Sequence, residues 1–169
     1  MDIVRIVDEF SVNRDIFKKL FSGLTQEEYL WKPEPGKWCL LEVACHLYDE
    51  EREDFRARIK SVMEDPEKAL SPIDPPGWVA ERKYIEQDFN NTVEKFMMER
   101  EWSIEWIRSL VNPSWDNAYD HPVFGKMTAK MFLSNWLAHD YLHLRQILGL
   151  KFNYHEHLSG DSLSYAGKW

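Results

Sequence analysis

Cysteine is scarce in this chain: Cys39 and Cys45 are the only two among 169 residues. Six positions apart on a helix they point to different faces, so no disulfide between them can hold the fold, and both are expected as reduced thiols. Long apolar runs are missing too, and without a stretch of about 18 apolar residues no transmembrane helix is expected. Basic runs are absent. Lys and Arg number 21 against 29 Asp and Glu, a formal charge of −8, which argues against nucleic acid or an anionic membrane as partner. The opening MDIVRIVDEF carries acids where a secretory leader has basic and then purely apolar residues, so a cytoplasmic address is expected. There is no glycine-rich phosphate loop, no G-x-S-x-G elbow, no zinc-knuckle cysteine spacing and no internal repeat. Nor is there strand alternation of any length.

What is present is apolar material at helical spacing. Apolar residues make up 44% of the chain and aromatic residues 14%, enough for one packed core, so residues 1–169 are read as a single domain. Asp2–Phe21 carries Ile3, Ile6, Val7, Phe10, Phe17, Leu20 and Phe21 on one stripe, and Gly23 stops it. Thr25-Gln-Glu-Glu opens a short helical turn in the capping pattern, and PEPGKW follows as a linker. A second helix is expected from Cys39 to about Met63, with Val43, His46, Leu47 and Glu50 facing inward toward Phe55 and Ile59. Pro66–Gly77 holds four of the eight prolines and reads as an irregular surface crossover ended by Trp78. A third helix is expected at about Val79–Val111, on Ile85, Phe89, Val93, Phe96, Ile104, Ile107 and Leu110, its apolar face widened by Met97, Met98 and Trp102. Trp115–Lys126 reads as a loop with room for a short strand. The fourth helix is expected to run from Thr128 as N-cap to Gly149. The last twenty residues are too aromatic for a free tail and are expected to lie back on the rest. These runs predict an all-α fold, a four-helix bundle of the up-and-down type with a long crossover.

The chemistry concentrates in NWLAHDYLHLRQIL. His139 and His143 stand at i and i+4 within a stripe of Phe132, Asn135/Trp136, His139, His143 and Gln146/Ile147. Side chains so spaced stack roughly 5–6 Å apart on a helix. Two imidazoles can grip one ion but cannot complete its shell, and His46 on the second helix is the best further ligand. Imidazoles on an apolar stripe need partners for their nitrogens, so a hydrogen-bonded His–acid network without an ion is the competing reading. Asp49 and Glu50, three and four residues after His46, could orient its ring or accept its second N–H. Asp140 completes H-D-x-x-H, close to the peptidase pattern H-E-x-x-H. Its shorter arm and its place about 100° around the helix make it a supporting or surface carboxylate rather than a base. His121, His155 and His157 read as turn or surface residues, Trp38, Trp78 and Trp136 as core or pocket wall.

PGKWCLLEVACHLYDEE, followed by HPVFGKMT, NWLAHDYLHLRQI and a closing LSYAGKW, resembles the DinB/YfiT-like superfamily along nearly the whole chain. The resemblance implies a four-helix bundle, often dimeric, with a divalent metal on three histidines. Carried over position by position, these are His46, His139 and His143. Its better-understood members imply a metal-dependent transferase joining a low-molecular-weight thiol to a small electrophile, and others a metal-dependent hydrolase. A non-catalytic stress-related or structural bundle is the third reading. Imidazole ligands suit Zn or Ni first, with Fe or Mn also possible. The expected partners are a small-molecule substrate and a second copy of the chain.

Overall fold

Each long helix begins at a side chain that closes its first turn. In the computed structural model, which describes residues 2–167, Asp2 accepts from the Val4 N–H at 2.9 Å and opens α1 (Ile3–Leu20). Thr25 caps the short α2 (Gln26–Leu30). Glu42 reaches back to the Cys39 N–H at 2.8 Å at the start of α3 (Leu40–Asp49). Asp88 accepts from Asn91 at 2.7 Å and opens α6 (Phe89–Ser109), and Thr128 accepts from Met131 at 3.1 Å before α7 (Ala129–Ser159). These caps satisfy N–H groups that lack a partner within the helix.

The second long helix is continuous but not uniform. Between α3 and α4 (Arg56–Glu64) lies a π-helical segment, Glu50–Phe55. A π turn carries an extra residue and shifts every later side chain around the axis. Here it leaves Glu50, Glu51 and Phe55 all buried.

The four runs pack as a four-helix bundle. The first and second runs each pack against α6 and α7, so the helices follow the ring order first, third, second, fourth. The chain between the second and third helices contains α5 (Pro75–Glu81), opened by Asp74, and a 3₁₀ turn at Tyr84–Glu86. Between the third and fourth, β1 (Ala118–His121) and β2 (Gly125–Thr128) form an antiparallel hairpin that pairs Ala118 with Thr128 and His121 with Gly125. It packs on α4 and α7.

Several boundaries differ from the sequence expectation. The third helix starts at Phe89 rather than Val79, because Lys83 takes a left-handed φ of 48° and breaks the run after α5. Ile85, before that start, is exposed, and Met98 and Trp102 within α6 also face outward instead of widening its inner face. The fourth helix continues through Gly149 to Ser159, where Gly160 takes φ 67°. Its added turns bring Tyr154 edge-on to Trp31, ring centroids 5.6 Å apart. Beyond it the expected packing of the tail is not found: Tyr165 is fully exposed. Lys168 and Trp169 lie outside the described residues.

The core is split by height. One apolar cluster holds Phe17, Leu47, Phe96 and Ile147; the other holds Phe10, Phe55, Ile104 and Trp136. On each helix the residue between the two is polar and buried: Asn13, Glu51, Arg100 and Asp140. The histidines sit beside this layer.

Candidate metal centre

His46 comes from α3, His139 and His143 from consecutive turns of α7. The Nε2 atoms of His46 and His139 are 3.3 Å apart, and those of His143 and His139 are 3.0 Å apart. One ligand atom from each of the three residues lies within 4.8 Å of the others. Imidazoles at Zn–N distances of about 2.0–2.1 Å and tetrahedral angles have nitrogens about 3.3 Å apart. The spacing therefore fits one shared ion.

The proton inventory points the same way. His143 Nδ1 meets Gln146 Oε1 at 2.8 Å, which puts the ring proton on Nδ1 and leaves a lone pair on Nε2. His139 Nε2 has one position, a proton or a lone pair, with which to meet two other nitrogens. His46 Nδ1 is buried and has no hydrogen-bond partner. Three converging Nε2 atoms cannot all be satisfied by one another, and a cation at the common point would take their lone pairs, while His46 Nδ1 lies outside that point. All three rings are held neutral. Burial, then the adjacent His143, pushes His46 down to about 3. Burial, then His143, His46 and Arg100, pushes His139 to about 2. Burial also lowers His143, against the opposing pull of Gln146. Neutral imidazole is the metal-binding form.

The aromatic surroundings fix the rings. Trp38 packs on His46 at 4.9 Å and Phe55 on His139 at 5.0 Å between centroids. Phe55 in turn stacks on Trp136 at 5.7 Å. His139 also lines a cleft of about 600 Å³, whose walls include Phe55, Ile73, Phe124, Phe132 and Leu142. Asp54 and Arg58 place an ion pair on that wall.

The carboxylates near the histidines in sequence are otherwise engaged. Asp49 accepts from Tyr84 Oη at 2.7 Å and pairs with Arg52 and Arg82, each at 2.8 Å. Glu50 is buried with Oε1 unpartnered. Neither takes the second N–H of His46. Asp140 is fully buried and binds Arg100 through both oxygens, at 2.6 and 2.8 Å. Arg100 also grips Glu51 at 2.8–3.0 Å, Trp136 Nε1 donates to Glu51 at 3.1 Å, and Asn13 donates to Asp140 at 3.1 Å. The sequence reading missed Arg100 and Glu51, since isolated charges on helices ordinarily face solvent.

Cys39 and Cys45 are buried free thiols, pushed up to about 11 and 12, chiefly by burial. His121 holds the hairpin turn, accepting at Nδ1 from Val123 and Phe124 at 3.1 and 3.2 Å. His157 packs on Trp31 at 5.7 Å between centroids. His155 is exposed. Trp78 and Trp136 are core residues.

The DinB superfamily model matches residues 9–147, a span that includes all three histidines. The chain belongs to the DinB superfamily. Among solved structures, this DinB-superfamily chain is similar to YfiT from Bacillus subtilis, a probable metal-dependent hydrolase with an unusual four-helix bundle topology. The TM-score is 0.78 at 16% identity, covering 96% of this chain and 91% of that one. At that identity the likeness is one of fold. Among curated proteins, none matches this chain. No helix among the described residues is long and apolar enough to cross a membrane.

Proposed function

We propose that this DinB-superfamily chain is a metal-dependent enzyme in which His46, His139 and His143 hold one divalent ion, and that it transfers a low-molecular-weight thiol to a small apolar electrophile. The supporting observation is the convergence of three neutral imidazoles, two of them with Nε2 atoms 3.0 and 3.3 Å from the third. Three protein ligands leave a coordination position open, and an ion there lowers the pKa of a thiol or a water toward neutrality. A thiol starts from about 8.5 and needs little help. A water starts far higher and gains from a nearby base, whereas Asp49 and Asp140 are held by arginines. The apolar cleft beside His139 suits the electrophile, with Phe55 and Leu142 on its wall and Asp54–Arg58 for a polar end.

Hydrolysis is the second reading. It is favoured by the fold likeness to YfiT, and it would draw on Asp54, which lines the same cleft as His139 and is paired with Arg58. The deciding experiment supplies zinc- or nickel-loaded protein with several cellular thiols and a chlorinated aromatic substrate, then with esters and amides alone. Conjugate formation that requires metal and vanishes in His139→Ala supports transfer. Ester or amide turnover without thiol, equally metal-dependent, replaces it with hydrolysis. Neither reaction with any probe would leave a non-catalytic bundle.

A further inference from the structure

The polar layer through the core is not electrically neutral. Arg100, Glu51 and Asp140 are at most 1% exposed. Burial raises the Glu51 carboxyl against the pull of Arg100, but both its oxygens accept from Arg100 and one also from Trp136, which fits the ionised form and sets two negative charges against one positive. Every nitrogen of the guanidinium is used: Nε and Nη2 on Glu51, Nη1 and Nη2 on Asp140. Asn13 and Trp136 donate further to the same two carboxylates. The geometry is complete, yet one negative charge is left over in the interior. A surplus buried charge is expensive unless an opposite one lies near.

The histidine cluster lies on the same two helices as the carboxylates. Asp140 follows His139 directly in α7 and precedes His143 by three residues. Glu51 follows His46 by five residues along the helix and its π segment. Trp136, bound to Glu51, is stacked on Phe55, which packs on His139. The layer is thus wired to the same two helices that present the rings.

We propose that Glu51 and Asp140 are positioning residues whose surplus negative charge is the buried counter-charge for the ion held by His46, His139 and His143, with Arg100 fixing both carboxylates in place. The inference rests on the metal centre of the proposed function. It makes metal affinity depend on the charge of groups that touch no ligand atom of the ion.

The test is a zinc titration of the full chain against a chromophoric chelator, with the thermal midpoint of the chelator-treated protein measured alongside. Glu51→Gln keeps the shape and an acceptor for Arg100 but removes one unit of charge. It is expected to bind zinc about tenfold more weakly, while the metal-free protein melts no lower than wild type. Asp140→Asn removes the same charge from the other side, and serves if the first variant fails to fold. Asn13→Leu removes a hydrogen bond without changing charge, and its zinc affinity is expected to stay within about threefold of wild type. Wild-type zinc binding with both charge variants unchanged would overturn the counter-charge. So would an Asn13→Leu loss as large as that of Glu51→Gln, since hydrogen-bonded positioning alone would then suffice. Failure of the wild-type protein to bind zinc, nickel, iron or manganese would overturn the metal centre itself.

Discussion

Two buried polar clusters lie side by side in this bundle and have been completed to different degrees. Around Arg100 every nitrogen has an acceptor, and both carboxylates are further held by Asn13 and Trp136. Around His139 three ring nitrogens face one another, and His46 Nδ1 has no hydrogen-bond partner. A satisfied cluster in a core is explained by the fold it ties together. An unsatisfied one, kept beside it, asks for a partner the protein itself does not supply. The contrast separates scaffold from site more sharply than burial does, since His46 and His143 are buried like the residues around Arg100.

Breaking the completed cluster should have the largest effect. Arg100→Met leaves Glu51 and Asp140 facing each other without a cation, and removing one partner of a buried ion pair costs about 3–5 kcal/mol. Urea unfolding of chelator-treated protein measures it. A loss under about 1 kcal/mol would mean the layer is no scaffold. The incomplete cluster should respond to metal instead. At about a thousandfold excess over Kd, zinc should stabilise wild type by about 4 kcal/mol and leave His139→Ala unmoved. The metal-free stability of that variant should fall by less than that of Arg100→Met, because the ring it removes is only half-buried and satisfied no partner well.

The same contrast explains what was legible in the sequence. His139 and His143 at i, i+4 on an apolar stripe announce a shared point, because helical spacing alone brings them together. His46 was a candidate by its stripe and became specific through the family resemblance. Glu51 could not be read, since its burial depends on the π segment, and no residue in EEREDF announces a π turn. Asp140, placed off the histidine face by about 100°, faces inward all the same: Arg100 awaits it on another helix. Helix existence followed periodicity, whereas two ends did not. Gly149 is tolerated inside α7, and Asp88 rather than Val79 starts α6 because its side chain closes the first turn.

Glu50 offers a smaller test between the two clusters. Burial first, then the adjacent Asp54, raises its carboxyl to about 8 from an ordinary 4.5. The folded protein therefore holds a proton that the unfolded chain releases between those values, so this group's contribution to stability declines as pH rises from about 4.5 to about 8. Glu50→Gln imitates the protonated form permanently. It should gain about 1–3 kcal/mol over wild type by pH 8, with the difference shrinking toward pH 5. Equal pH profiles for the two proteins would show that Glu50 is ionised and partnered.

The smallest expected change comes from the one well-satisfied ring in the incomplete cluster. Gln146 Oε1 fixes the proton of His143 on Nδ1 and so aims a lone pair from Nε2 at the common point. Gln146→Leu keeps much of the volume, yet it frees that tautomer and leaves Nδ1 wanting a partner. Groups that orient a ligating imidazole through its other nitrogen are worth about tenfold or more in metal affinity, about 1.4 kcal/mol. Competition with a chelator should show that loss, and Gln146→Glu, which restores an acceptor at the same place, should recover it. Recovery is the informative half: a cavity or a shifted helix would weaken binding in both variants, whereas an orientation effect returns with the acceptor. If the glutamate binds as weakly as the leucine, the histidine cluster is positioned by packing on Trp38 and Phe55, and its hydrogen bond is incidental.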